Sequence, residues 1–238
     1  MNKFFLCLAT ALLLTLPPTA SASGESPETS SQERNGGEKA IGPFRIGMPL
    51  QEALDLGAQE VEPGLLRHAA DWGGASWELH AQFEQGRAVA MKMATAITQP
   101  PLISLLDAFR NRGYMPLRLM ASGRATDFYV LSGQGSSDES CLETMRRKLD
   151  AFLGSPEKSG CLVVFVSSGF FRDFARHATD EKAIEAIMRK RAAETVYLLN
   201  LDRAHSGKLL CIATSCEHIT QLERGTWGGG RGPFWRRG

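Results

Sequence analysis

The stretch "SWELHAQFEQGRAVAMKMAT", Ser76 to Thr95, constrains the fold of this chain more than any other. Trp77, Leu79, Ala81 and Phe83 alternate strictly with other residues, and that period of two places them on one face of a strand. Beyond "EQG", Val89, Met91 and Met93 share a face in the same way. A three-residue connection with Gly86 last is what a hairpin closed by a left-handed residue requires. The opposite face of the first strand carries Glu78, His80 and Gln82. Wherever that face meets water it must be polar, so those three residues need no functional explanation; they are nonetheless the sheet positions at which a partner would bind.

Helical and strand periods alternate through the rest. In "FRIGMPLQEALDLG", Pro49 suits the first turn of a helix, Leu50, Ala53 and Leu54 share a stripe, and Gly57 suits its end. "LLRHA" reads as a short strand before the turn "DWGG". "PPLISLLDAFRNRGY" is a helix burying Leu102, Leu105, Leu106 and Phe109, and "MPLRLMAS" with "TDFYVLSG" reads as two strands around "GRA". "SSDESCLETMRRKLDAFLG" is a helix opened by a capping box of Ser136 and Glu139 and ended at Gly154. "CLVVFVSS" is a buried strand, "TDEKAIEAIMRKRAA" a helix with acids first and bases last, and "TVYLLNLD" with "GKLLCIATS" a closing hairpin. The fold class expected is α+β: antiparallel hairpins packed against short helices. They form one domain or two small lobes, residues 41–96 (helix plus hairpin) and 97–216.

Both ends differ from this core. Lys3, an apolar run from Phe4 to Leu16, Pro17-Pro18 and the small triplet Ala20-Ser21-Ala22 make residues 1–22 a secretory signal peptide cleaved before Ser23. The run is short of the ~20 apolar residues that span a bilayer, so no transmembrane segment is expected after cleavage. Cys7 lies within the run, and no cysteine follows Ala22 closely enough to carry a lipid. Residues 23–40 are acidic and lack large apolar side chains, the composition of a disordered leader. Residues 217–238 form a flexible Gly/Arg tail holding Trp227, Phe234 and Trp235. The whole chain has 27 basic and 26 acidic residues, so losing Lys3 with the signal leaves a neutral protein. Nucleic-acid binding rests on clustered Lys and Arg, and no such field exists.

"FRIGMPLQEAL" followed by "WELHAQFEQGRAVAMKM" resembles the α+β unit of β-lactamase inhibitor proteins and of small lipoproteins of outer-membrane assembly. An "iGM" turn entering a helix, then a tryptophan-bearing hairpin with Gly in its turn, carries the resemblance, which covers about residues 41–96. It implies a non-enzymatic protein that binds other proteins in the envelope. No catalytic residue transfers with it, and the lipid-bearing cysteine of the assembly lipoproteins is missing here.

The remaining chemistry is sparse. Cys141, Cys161, Cys211 and Cys216 survive signal cleavage, an even number in an oxidising compartment, and are expected in disulfides. Cys141 and Cys161 stand at opposite ends of a helix, about 18 Å apart at 1.5 Å per residue, beyond disulfide reach. If the last strand lies antiparallel to "CLVVFVSS", Cys161 meets Cys216. A metal centre of Cys211, Cys216, His218 and His205 would use Cys-x4-Cys-x-His, a poor zinc spacing, so neither metal nor cofactor is expected. Gly-x-Ser-x-Gly, His-Glu-x-x-His and the phosphate-loop pattern are all missing. "SGQGSSDES" lacks the lysine of a phosphate loop, and a helix cap accounts for its serines. His177 and Asp173 stand four apart, the spacing of a solvated surface pair. "GFFRDFARHA" gathers Phe170, Phe171 and Phe174 with Arg172 and Arg176; a membrane-surface segment is conceivable, and a core helix accounts for it more simply.

The expected function is therefore an exported periplasmic or envelope module that binds another envelope or secreted protein. Its candidate binding residues are Glu78, His80 and Gln82 on the sheet and Trp227, Trp235 and Arg236 in the tail. The alternative is a small secreted hydrolase built from residues distant in sequence, with Ser168 or Ser132 beside His177 and an acid.

Overall fold

The computed structural model describes residues 44–156, 159–203 and 206–217. The signal peptide, the leader, the Trp227/Trp235/Arg236 tail and the histidines His205 and His218 lie outside the described residues.

The fold is α+β. Among the described residues nine strands, β1 Gln59–Glu62, β2 Leu65–Trp72, β3 Ala75–Glu84, β4 Arg87–Ala96, β5 Tyr114–Ala121, β6 Arg124–Asp127, β7 Gly160–Ser167, β8 Thr195–Asp202 and β9 Lys208–Ser215, form one sheet in the order β1-β2-β3-β4-β9-β8-β7-β5-β6. Every neighbouring pair is antiparallel. Six helices accompany them: α1 Leu50–Asp55, α2 Gln99–Asn111, α3 Phe128–Gly133, α4 Asp138–Gly154, α5 Ser168–His177 and α6 Glu181–Lys190. The β4–β9 pairing joins residues 41–96 to residues 97–216, so both segments build the same sheet.

The Ser76–Thr95 hairpin forms as β3 and β4, with a tighter turn than its sequence suggests. Gln85 and Gly86 alone connect the strands, at φ 51° and 74°. Two left-handed residues make a turn whose twist matches that of the strands. A bulge between Gln82 and Phe83 places Ala88 opposite Phe83, which makes the half-buried Val89 the extra residue of β4.

Register then divides the residues between two faces. One row runs Leu66, Ala81, Met91, Ala213, Tyr197 and Phe165, and the next runs His68, Leu79, Met93, Cys211, Leu199 and Val163. Helix α2 covers this apolar face: Phe109 is fully buried, stacks on Phe165 at 4.3 Å and meets Tyr197 edge-on at 5.2 Å. Helix α4 lies beside α2, tied by the Arg146–Asp107 and Arg110–Glu139 pairs. On the opposite face α3, α5 and α6 close over the sheet at β5, β7 and β8. Tyr129, Phe170, Phe174, Ile184 and Met188 there enclose an apolar cleft against Val164, Val166 and Val196.

Two local expectations are corrected. "TDFYVLSG" is not one strand, because β6 stops at Asp127 and Phe128–Gly133 turns helical. The strand preference of Phe-Tyr-Val yields to packing: Phe128 is fully buried and Tyr129 meets Phe174 edge-on at 5.3 Å. Helix α4 is capped by Ser137, one residue later than the Ser136 capping box, and the Ser137 hydroxyl accepts from the Ser140 amide at 3.2 Å. In α5, Phe170, Phe171 and Phe174 are buried in the core.

Candidate functional site

The face opposite Phe109 carries one continuous cross-strand row. Reading from β2 it runs Arg67, His80, Lys92, Ile212, Leu198, Val164 and Arg118, and ends on Asp127 of β6. The row changes character along its length. Ile212, Leu198 and Val164 make an apolar middle, and Arg118 at the far end is buried and bonded to Asp127 through two guanidinium nitrogens. That bidentate pair keeps Arg118 protonated: burial opposes its charge, and Asp127 more than compensates.

The near end is the polar cluster. Alternation in β3 places Glu78 on the same face as His80, and its carboxylate receives the imidazole Nε2–H at 3.1 Å and approaches Arg67 Nε at 3.3 Å. The expectation that His80 lies on a wet face is corrected, because His80 is 8% exposed and Lys92 beside it only 4%. His80 is flanked directly by Arg67 and Lys92 on the neighbouring strands. With Nε2–H directed at Glu78, His80 Nδ1 is buried with no hydrogen-bond partner.

Burial depresses the pKa of His80, and the Glu78 carboxylate only partly opposes it, so the imidazole is neutral at pH 7. Burial also lowers the pKa of Lys92, against the attraction of Glu78. For Glu78, burial raises the pKa, but His80, Arg67 and Lys208 together hold it below the ordinary carboxylate value. The cluster is therefore a buried floor of His80 and Lys92 beside the partly exposed Glu78 and Arg67, with the exposed Lys208 nearby. Gln82 does not join it; its amide turns to Glu84 at 3.2 Å and stays exposed.

Sequence reasoning missed Arg67 and Lys92. Lys92 was legible, since Met91 and Met93 point to the core and alternation sends the residue between them to the face of Glu78 and His80. Arg67 needed the β2–β3 register, which its short strand does not disclose.

The other sequence candidates are dispersed. Ser168 and His177 are the first and last residues of α5, roughly 13 Å apart along its axis. Ser168 Oγ donates to Gly113 O at 2.6 Å, and Asp173 is taken by Arg191 and Lys190 rather than by His177. Ser132 lies on α3, and among the described residues no hydrogen bond joins a serine or cysteine to a histidine. Cys141, Cys161, Cys211 and Cys216 are all buried, and none of the four is bonded to another of them. The premise of the Cys161–Cys216 pairing fails because β8 lies between β7 and β9. Those two strands point the same way, so Cys161 begins one while Cys216 follows the far end of the other. Burial pushes the Cys161 and Cys211 thiols up to about 12. Among the described residues no group of three His, Cys, Asp or Glu is placed to hold a metal ion, and no helix is long and apolar enough to cross a membrane.

Comparison with protein-family models, with curated proteins and with solved structures finds no match to this chain.

Proposed function

We propose that this chain is an exported envelope protein that acts by binding another protein, through the polar face of β2, β3 and β4 and through its aromatic, arginine-bearing tail. The observation that carries the reading is the cluster at the near end of the cross-strand row: Glu78 held by both His80 and Arg67, with buried Lys92 on the next strand. Each side chain there is fixed by a neighbour or by burial, so the face offers donors whose ordering entropy is already lost before a partner arrives. Trp227, Trp235 and Arg236 are of the residue types that dominate interface energies. The signal-like N-terminus supports export, and the resemblance of residues 41–96 to inhibitor and assembly proteins supports protein binding over turnover.

The test is affinity capture from an envelope fraction with three baits: the mature chain, Glu78→Ala/His80→Ala, and a chain ending at residue 224. A protein enriched by the first and reduced with either variant is the expected result. Turnover of an ester, peptide or glycan that vanishes on changing one serine, cysteine or histidine would overturn the reading.

A further inference from the structure

We propose that His80 is an acid-sensitive latch: on taking a second proton it lets β1 and the first residues of β2 come away from β3, while the centre of the sheet stays paired. The device is independent of what the face binds.

One ring nitrogen of His80 is engaged and the other is orphaned. Nε2–H donates to Glu78, and the buried Nδ1 meets no donor. A protonated ring carries N–H at both positions, so its new Nδ1–H would be buried without an acceptor, the costly way to leave a polar group. The surrounding charges do not offset this. Arg67 stands directly opposite on β2, Lys92 directly opposite on β4 and Glu78 two residues back on β3, while Lys208 at the start of β9 acts on Glu78 and Lys92. Protonation therefore turns a neutral ring into a cation between two others, with Glu78 as the one carboxylate of the cluster. Like charges directly opposed across a ladder weaken the pairing. Burial, together with Lys92 and Arg67, already opposes this proton more than Glu78 favours it.

Relief is available on one side. Strand β4 is held by β9 inside the sheet, whereas β2 has beyond it only β1, four residues exposed throughout, whose Gln59 stands opposite Arg67 and offers no carboxylate. The β2–β3 hairpin turns between Trp72 and Ala75, so its open end is the Leu65–Gln82 pair, and Arg67–His80 is the third pair from that end. Fraying three pairs separates the ring from Arg67 and gives Nδ1–H water. It also uncovers Leu66, which is fully buried, and that burial holds the latch shut while His80 is neutral.

The experiment is amide hydrogen exchange of the mature chain, read by NMR from pH 8 to 5 and corrected for intrinsic rates. Protected amides among residues 65–67 and 80–82 should open more readily than those of β7 and β8. Below pH 6.5 the opened form binds one more proton than the closed one, so their opening constant should rise by up to about tenfold per pH unit and level off at the folded pKa of His80. His80→Gln, which keeps a donor for Glu78 and takes no proton, should abolish the rise. Glu78→Gln removes the attractive charge and should carry the rise to lower pH; Lys92→Met removes a repulsive one and should end it at higher pH. A role confined to packing would not move that limit in opposite directions. Residues 65–67 as protected as β7 and β8 at pH 5, or a rise that survives His80→Gln, would overturn the latch. Should His80→Gln fail to fold, the other two variants decide, and shifts in one direction or none would overturn it equally.

Discussion

Replacing Lys92 by methionine should make this protein more stable, the reverse of what most substitutions do. The perturbation is nearly isosteric: methionine, like lysine, is long and unbranched, and the change removes the ammonium. What it removes is a charge 4% exposed, disfavoured by burial and by Lys208 and favoured only by Glu78, which keeps Arg67 and His80 afterwards. Relief of like-charge crowding on a sheet face is worth about 0.2–1 kcal/mol. Exchanging buried ionic groups for apolar ones of similar volume ranges from neutral to about 4 kcal/mol of gain. Since Glu78 already offsets part of the cost, we expect a gain of about 1 kcal/mol, or roughly 2–4 °C in melting temperature for a chain of this size. The pH dependence supplies a second reading. Burial lowers the folded pKa of Lys92, so between that value and the ordinary one near 10.4 the unfolded chain binds more protons than the folded one. The contribution of Lys92 to stability therefore rises with pH through that window, and Lys92→Met should flatten the rise. Urea melts of both proteins across the alkaline range measure each quantity. A loss of about 1 kcal/mol or more, or an unchanged alkaline slope, would refute the claim that the charge of Lys92 costs the fold stability.

Four further outcomes are expected. Gly86→Val should destabilise the fold by about 1–3 kcal/mol, since Gly86 sits at φ 74° with nothing within 4 Å of an added Cβ, so the loss comes from backbone strain alone; an unchanged denaturant midpoint would contradict it. Ser137→Ala should cost about 1 kcal/mol and Ser136→Ala clearly less, because Ser137 holds the α4 cap; the reverse order of midpoints would restore the Ser136 capping box. Cys161 and Cys211 should resist a thiol reagent in the native protein at pH 8, being buried with both thiols near 12, and rapid labelling of either without denaturant would contradict their burial. His80 has a folded pKa below its unfolded value of about 6.5, so stability should fall as pH drops through 6.5 towards the folded value; His80→Ala should abolish that component, and an identical acid limb in both proteins would sink the assignment.

What could be read in advance was whatever a short window encodes. The β3–β4 alternation, the Leu102/Leu105/Leu106/Phe109 stripe of α2 and the unbroken apolar run of β7 each state their element and buried side within a dozen residues. Strand β1 was invisible for the same reason, because Gln59–Glu62 is exposed throughout and has no apolar period to detect. Helix α3 ran against its own preferences and formed because Phe128 could be buried. Strand order lies in no window at all: β4 pairs with β9 across most of the chain, and with that order went the geometry of the cysteines. The candidate site divides likewise. Glu78 and His80 follow from alternation, whereas their juxtaposition with Arg67 and Lys92 depends on the registers of three strands.

The position of β9 has a consequence for how the chain matures. Among the described residues it is the last strand in sequence and the fifth of nine in space, hydrogen-bonded to β4 on one side and β8 on the other, with Thr214 Oγ1 donating to Val89 O from 125 residues away. Until residues 208–215 arrive, the meander β1–β4 and the group β5–β8 are separate ribbons, each ending in an unpaired strand, with Met91 and Met93 on β4 and Leu199 and Leu201 on β8. Such edges recruit strands from other chains. A chain stopped short of β9 is expected to be aggregation-prone, because completion of the sheet waits for residues 208–215. The fold therefore closes only when a strand from late in the sequence enters the middle of the sheet, after both ribbons that flank it exist.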